Sequence, residues 1–261
     1  MVKKCLTIAG SDCSGGAGIQ ADLKTFSALG CYGMSVITSV VAENTQRVIS
    51  IQDVDINIIE DQIDACFEDI EIDGLKIGML SNIDIMLAIK DKLLQYKPKN
   101  VVIDPVMYAK GGVALMKEDC IDTLIKEIIP LAFVLTPNIP EAEKITNKRI
   151  STLRDMEEAG KVIYDMGCKN VLIKGGHLEN DATDILYNGE EIFHFKNEKI
   201  NTKNTHGTGC TLSSAIASEL TKENPVDIAV GNAKKYIVGA ITNDLCIGKG
   251  NGSINHFWEV W

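Results

Sequence analysis

The sequence predicts an α/β fold in which a central, mostly parallel sheet carries helices on both faces and a small antiparallel hairpin at one edge. Three observations predict it. Short β-branched runs alternate with longer segments of helical period almost from end to end, the pattern of βαβ units. The runs are apolar on successive residues, as strands covered on both faces are. The one stretch that breaks the alternation, residues 184–200, reads as two strands around Asn188-Gly189, a pair suited to a tight hairpin turn.

In chain order, the first strand is residues 5–9, and the helical pattern 19–29 that follows is stopped by Gly30. The second strand is 36–42, followed by a helix over 56–70 that Asp55 would cap. The third is 75–79, followed by a helix over 83–95 that Asn82 would cap. Strand 101–106 precedes a helix over 117–129. Strand 133–136 precedes one over 152–166, bounded by Ser151 and Gly167, and strand 171–174 completes the parallel set. After the hairpin come helices over 208–220 and 226–244. No repeat, low-complexity tract or Pro/Gly-rich linker interrupts the chain, so residues 1–261 read as one domain.

Composition excludes several classes. At 45% hydrophobic and 24% charged residues the 261-residue chain is neither disordered nor fibrous. Its formal charge of −10 argues against nucleic acid, so an anionic ligand has to be held locally, by backbone N–H groups and a few lysines. Eight cysteines are scattered without a CxxC pair, which excludes zinc and dithiol readings on spacing. No apolar run reaches the length of a membrane span, and the apolar stretch after Lys3-Lys4 is broken by Gly10, Ser11 and Asp12. The expectation is a protein of the reducing cytoplasm, without a membrane partner.

The strand ends carry the chemistry. Gly10-Ser11-Asp12-Cys13-Ser14-Gly15-Gly16-Ala17-Gly18 follows the first strand, Glu43-Asn44-Thr45 the second, Asp104-Pro105-Val106-Met107 the fourth, Thr136-Pro137-Asn138 the fifth and Lys174-Gly175-Gly176-His177 the sixth. Ligands of open α/β sheets bind beyond such ends. The glycine-rich loop fits neither a P-loop nor GxGxxG, and reads equally as a tight turn or as a surface for close approach of a flat ligand. Asn204 to Thr211 is more specific. Gly207-Thr208-Gly209 at a helix start presents N–H groups to an anion, and Cys210 lies in the first turn, where the helix field would lower its thiol pKa towards neutrality. The competing reading of Cys210 is a small core filler.

In order and spacing these segments, together with Ile139-Pro140-Glu141-Ala142, Gly248-Lys249-Gly250 and His256-Phe257-Trp258, resemble the ribokinase-like small-molecule kinases. They resemble most the hydroxymethylpyrimidine and phosphomethylpyrimidine kinases of thiamine biosynthesis. The resemblance implies a three-layer fold, ATP and Mg²⁺ as cofactors, a pyrimidine alcohol as substrate and a homodimer. It also implies residue roles. Cys210 stands where most of the superfamily has an aspartate base, a departure the vitamin-kinase branch shares. Gly207, Thr208 and Gly209 form the anion hole, with Thr208 also at the nucleotide. Asn138 and Lys174 serve ATP, and Asp104 and Glu141 the magnesium, through water. Gly10, Asp22, Glu43, Met79 and Val106 line the pyrimidine pocket. Glu43 favours an aminopyrimidine over the pyridoxine-type vitamers, which remain the alternative substrates. His206 reads as structural or adjacent to the ligand, His177 as able to reach the nucleotide, and no histidine pair has metal-ligand spacing.

Overall fold

Strand β1 (Lys4–Asp12) is buried on both faces from Cys5 to Gly10, and the chain builds outward from it in both directions. The computed structural model describes residues 1–109, 112–176, 182–196, 200–243 and 245–260. Helix α1 (Gly18–Ala28) returns the chain to β2 (Tyr32–Glu43), parallel to β1 on one side. Strand β3 (Val48–Asp53) doubles back antiparallel to β2 as the edge. Helix α2 (Ile56–Asp69) crosses to β4 (Gly74–Ile77), parallel to β1 on its other side. The chain then steps outward through α3 (Ile83–Tyr96), β5 (Val101–Ile103), a helical segment centred on α4 (Ile121–Thr123), β6 (Val134–Leu135), α5 (Ile139–Thr146), α6 (Leu153–Tyr164) and β7 (Val171–Ile173). The expected hairpin is β8 (Asp184–Tyr187) and β9 (Ile192–Phe195), antiparallel beyond β7. Helices α7 (Thr208–Leu220) and α8 (Val226–Thr242) follow. The sheet order is β3-β2-β1-β4-β5-β6-β7-β8-β9.

Alternate residues of the parallel strands feed two cores. Leu6, Ile8, Leu75, Ile77, Ile103 and Ile173 face α2, α3, α5 and α6. Cys5, Val102, Val134 and Leu172 face Phe26 of α1 and the apolar sides of α7 and α8. Helix α7 is buried from Thr211 to Leu220 and is built largely of serine, alanine and threonine, so it lies close to the sheet. At Gly74 an added Cβ would stand 2.7 Å from Thr221 Cγ2 and 3.0 Å from the Ala217 carbonyl oxygen.

Several expectations are corrected. The expected helix 117–129 is a 3₁₀ turn (Glu118–Cys120), one α turn, a wider π turn (Leu124–Ile128) and a 3₁₀ turn (Ile129–Leu131). Its buried residues Cys120, Leu124 and Ile128 repeat every fourth position, more than the 3.6 of a regular helix, and Pro130 lacks the N–H to continue one. Strand β3 and helix α5 were not expected. All but one residue of β3 are exposed, so it shows little apolar pattern, and α5 is only eight residues long. The expected strand 101–106 stops at Ile103, since Pro105 has no N–H and Val106 N turns back to Asp104 O at 2.8 Å. Thr152, not Ser151, caps α6, and Asp55 precedes α2 without a side-chain cap bond.

The crossing from β3 to β4 places β1 at the point where the strand order reverses, and the crevice beyond the carboxyl ends of β1 and β4 is the position where such sheets hold ligands. No helix of the described residues is long and apolar enough to cross a membrane.

Two glycines with opposite surroundings test this packing. Gly74→Ala should destabilise by about 1–3 kcal/mol through overpacking against α7. Gly231→Ala, inside α8 with only Phe195 at an ordinary 3.7 Å, should be neutral or stabilising by up to about 1 kcal/mol. Urea unfolding of both variants reads the two signs.

Candidate active site

Asp12, at the end of β1, organises the glycine-rich loop. Its Oδ1 accepts from Ser14 N and Ser14 Oγ, both at 2.7 Å, and its Oδ2 from Gly16 N at 3.0 Å and Ala17 N at 2.7 Å. Oδ2 also lies 2.8 Å from His206 Nε2, across 194 positions of chain. Burial opposes ionisation, but the bonds from His206, Ser14 and Ala17 outweigh it and hold the carboxyl down at about 2. The loop that carries His206 and Gly207 is thereby drawn onto the glycine-rich loop. A Cβ at Gly207 would overlap the Gly16 carbonyl oxygen, and Gly207 itself has φ +82°.

A second tie closes the site from outside. Thr45 Oγ1 accepts from Gly250 N at 3.1 Å, and Thr45 O from Asn251 N at 2.8 Å. Gly252 in turn donates to Asn204 Oδ1 at 3.0 Å and accepts from His206 N at 3.1 Å. The turn after Glu43 and the approach to α7 are thus fastened to one segment.

At the start of α7, Gly207 is the N-cap and the Thr208 hydroxyl donates to Thr205 O at 2.8 Å, so this side chain steadies its own loop. The helix start meets the ends of β5 and β7 over Gly209, where a Cβ would be 3.3 Å from Asp104 Oδ2 and 3.4 Å from Lys174 Nζ. Asp104 is buried, and its Oδ1 accepts from Lys174 Nζ at 2.7 Å and Thr136 Oγ1 at 3.2 Å. Burial disfavours the Lys174 charge, but Asp104 and Glu141 more than restore it. Asn138 and Glu141 form a capping box on α5: Asn138 Oδ1 accepts from Glu141 N at 2.9 Å, and Glu141 Oε2 from Asn138 N at 2.8 Å. Burial pushes the Glu141 carboxyl up to about 7, with Lys174 opposing and Asp104 adding to the rise. A hard divalent cation fits these groups: the donors are carboxylate oxygens, and Glu141 is a buried acid that added positive charge would ionise.

Cys210 is half-buried, and the expected lowering of its pKa is reversed. Desolvation, with the Asp22 and Asp104 carboxylates, pushes the thiol up to about 11 against the pull of Lys76 and a hydrogen bond from Gly18 N–H. A helix start lowers a thiol pKa only where burial and nearby carboxylates do not outweigh it.

On the other side of the rim, Gly10 packs on Met79, where a Cβ would lie 2.9 Å from the methionine methyl. Glu43 ends β2 half-buried, with one ligand atom from each of Glu43, Asp12 and His206 all within 4.8 Å of one another. Burial and the Asp12 charge push the Glu43 carboxyl up to about 7, against His206. Glu43, Arg47, Ala109, Val113, His206 and Asn251 line a cleft there. Val106 is half-buried at the turn after Asp104. Asp22 is placed differently from its expected position on the pocket wall: it is fully buried and bonded to Thr7, Lys76 and Ser214, behind the site.

The structure therefore brings together Gly209, Cys210, Asp104, Lys174, Asn138 and Glu141 as one group, and Gly10, Met79, Glu43 and His206 around the glycine-rich loop as another. His177 lies outside the described residues. His194 is a surface partner of Glu157 at 3.0 Å, and His256 is buried behind α7 with its Nε2 3.0 Å from Thr211 Oγ1. Sequence reasoning missed Asp12 and Lys76. An aspartate two residues before a serine and four before a glycine is the signature of such a loop anchor, but a lysine inside an apolar strand gives no comparable signal.

Residues 12–255 match the family profile described as phosphomethylpyrimidine kinase. The chain is 47% identical over 252 residues to the thiamine biosynthesis bifunctional protein ThiED of Geobacter sulfurreducens, covering 96% of this chain and 51% of that protein, so it spans about half of that relative. It is 46% identical over 265 residues to the hydroxymethylpyrimidine/phosphomethylpyrimidine kinase of Rhizobium meliloti, covering 100% and 99% of the two chains. An ADP complex of Bacillus subtilis pyridoxal kinase superposes with a TM-score of 0.91 at 39% identity, covering 98% of each chain. With the profile matched over residues 12–255 and a relative 46% identical along the whole chain, the chain belongs to the phosphomethylpyrimidine kinase family.

Proposed function

We propose that this protein transfers the γ-phosphoryl group of ATP to 4-amino-5-hydroxymethyl-2-methylpyrimidine and to its monophosphate, in the cytoplasm and as a step of thiamine biosynthesis. The observation that carries this reading is the meeting of three elements at one rim: the Gly207–Cys210 helix start, the Asp104–Lys174–Glu141 cluster and the Glu43 cleft. The names of the relatives support the same substrates.

Gly207, Thr208 and Gly209 receive the transferring phosphoryl group at the start of α7, where N–H groups and the helix dipole meet negative charge. Lys174 and Asn138 orient the nucleotide phosphates. Asp104 and Glu141 hold Mg²⁺ through water, and the ion, when bound, supplies neutralisation of phosphate charge. Cys210 takes the hydroxyl proton. Its thiol pKa is held high in the free protein, so it acts only as the thiolate left once its own proton has gone to water, and a loose transition state tolerates this because positioning counts for more than the base.

Gly10, Met79 and Val106 form the apolar wall of the pocket, Asp22 supports it from behind, and Glu43 reads the ring. With its carboxyl near 7, Glu43 has a neutral form that donates to a ring nitrogen while accepting from the exocyclic amino group. Pyridoxine, pyridoxal and pyridoxamine are the alternative substrates, favoured by the close superposition on a pyridoxal kinase. Exposed Val40, Ile49 and Ile51 on the β2–β3 edge supply an apolar contact for a homodimer.

Coupled assay of ADP release should show turnover with both pyrimidines. Turnover of pyridoxal alone would replace them. Cys210→Ala should lower kcat by about 10²-fold or more while the KM for ATP changes little, and near-normal kcat would restore the packing role. Because the neutral form of Glu43 is lost as pH rises through about 7, kcat/KM for the pyrimidine should fall on the alkaline side. Glu43→Gln should flatten that limb, since an amide keeps both hydrogen bonds at every pH.

A further inference from the structure

Lys76 is a charged side chain that the chemistry above leaves without a task. It lies on β4 between Leu75 and Ile77, is wholly buried, and its ammonium reaches towards the carboxyl edge, where a Cβ on Gly78 would stand 2.7 Å from Nζ. Nζ donates to both oxygens of Asp22, at 2.9 and 2.8 Å, and its third N–H has no hydrogen-bond partner among the described residues. Asp22 Oδ2 also accepts from Thr7 Oγ1 at 2.6 Å, and Oδ1 from Ser214 Oγ at 2.7 Å. Ser214 is one helical turn beyond Cys210 on the same face of α7, so its bond to Asp22 ties the Lys76–Asp22 pair to the face of the helix that carries Cys210.

A buried ion pair of this kind is a poor structural device. Desolvating the two ions costs several kcal/mol, and a well-packed apolar pair serves the fold as well or better. The surroundings of the ammonium give it another purpose. Besides Asp22 on α1, the groups whose charge it feels are Cys210 on α7 and Asp104 after β5, and Asp22 and Asp104 both act on the Cys210 sulfur in the sense opposite to Lys76. Lys174 is the other cation that interacts with Cys210.

We propose that Lys76 is a positioning residue for phosphoryl transfer: its buried ammonium, anchored by Asp22 beneath the first turn of α7, stabilises the thiolate of Cys210. This rests on Cys210 being the base. In the step it serves, the substrate O–H bond breaks as the S–H bond forms. The freed electron pair on oxygen makes the new bond to the γ-phosphorus of ATP, and the old P–O bond breaks with its pair leaving on ADP. Asp22 limits how strongly the lysine acts, so the sulfur is a thiol in the free protein; its own proton leaves to solvent water before transfer, and the thiolate that Lys76 stabilises then takes the hydroxyl proton.

Two isosteric variants separate the charges. Asp22→Asn removes the counter-charge and one acceptor: the amide oxygen keeps one hydroxyl donor, and the other hydroxyl has to turn and accept from the amide N–H. Adding Lys76→Met then removes the ammonium without leaving a buried carboxylate alone. The measurement is the pH dependence of iodoacetamide alkylation at Cys210, read on its peptide by mass spectrometry in the ligand-free protein. D22N should bring the alkylation midpoint below that of the parent. D22N/K76M should raise it above that of D22N by a unit or more, about tenfold less thiolate at a given pH below the midpoint. In the kinase assay kcat should fall at least about tenfold from D22N to D22N/K76M with the KM for ATP nearly unchanged, and D22N/K76R should recover part of it. Equal midpoints in D22N and D22N/K76M overturn the proposal. If the double variant does not fold, an unchanged or raised midpoint in D22N alone does so. Alkylation reports on Lys76 whether or not the sulfur is the base, whereas undiminished turnover of Cys210→Ala removes the base and leaves any alkylation shift standing.

Discussion

The whole rim depends on the carboxylate of Asp12. It terminates β1, gathers the N–H groups of Ser14, Gly16 and Ala17, and pairs with His206 from the far end of the chain. Because these bonds fix the glycine-rich loop and the loop before α7 against each other, the start of α7 has one position relative to the sheet. The absence of side chains at Gly16 and Gly207 then lets two backbones approach at a distance no other residue allows. An ionised carboxylate buried this deeply is tolerable only because donors surround it, and its depressed pKa is the measure of that satisfaction.

A chain of net charge −10 has to attract polyanionic ligands against its own field. It does so with few cations, each tied to an aspartate: Lys174 to Asp104 at the rim, and Lys76 to Asp22 below it. Such pairs hold positive charge in fixed places without building a basic surface. The raised carboxyl groups of Glu43 and Glu141 belong to the same arrangement. Each is an acid near neutrality, ready to take up whichever charge state its ligand requires.

The parallel strands and six of the helices were legible because burial on both faces leaves unbroken apolar runs and helices carry their period openly. The edge strand β3 was not, since exposed residues such as Ile49 and Ile51 leave no inner face to write a pattern. The convergence of strand ends could be read from the sequence, because βαβ topology sends every carboxyl end to the same side. Electrostatics could not. The high thiol pKa of Cys210 comes first from burial and then from Asp22 and Asp104, far away in the chain, and the expectation from its helix position alone had the wrong sign. Asp22 sits behind the pocket for a similar reason: its partner Lys76, 54 positions away, gives no sequence signal.

The tie between Thr45 and Gly250 joins residues 205 positions apart. Bringing such distant segments together carries a loop-closure cost that is met only once the sheet between them has formed. The cleft beside Glu43 and the approach to α7 are therefore completed late in folding, after the scaffold that supports them. During synthesis on the ribosome, a growing chain that has already laid down its parallel strands still lacks Gly250 to Gly252. Nascent and incompletely folded molecules consequently lack the clasp that holds the turn after Glu43 against the approach to α7.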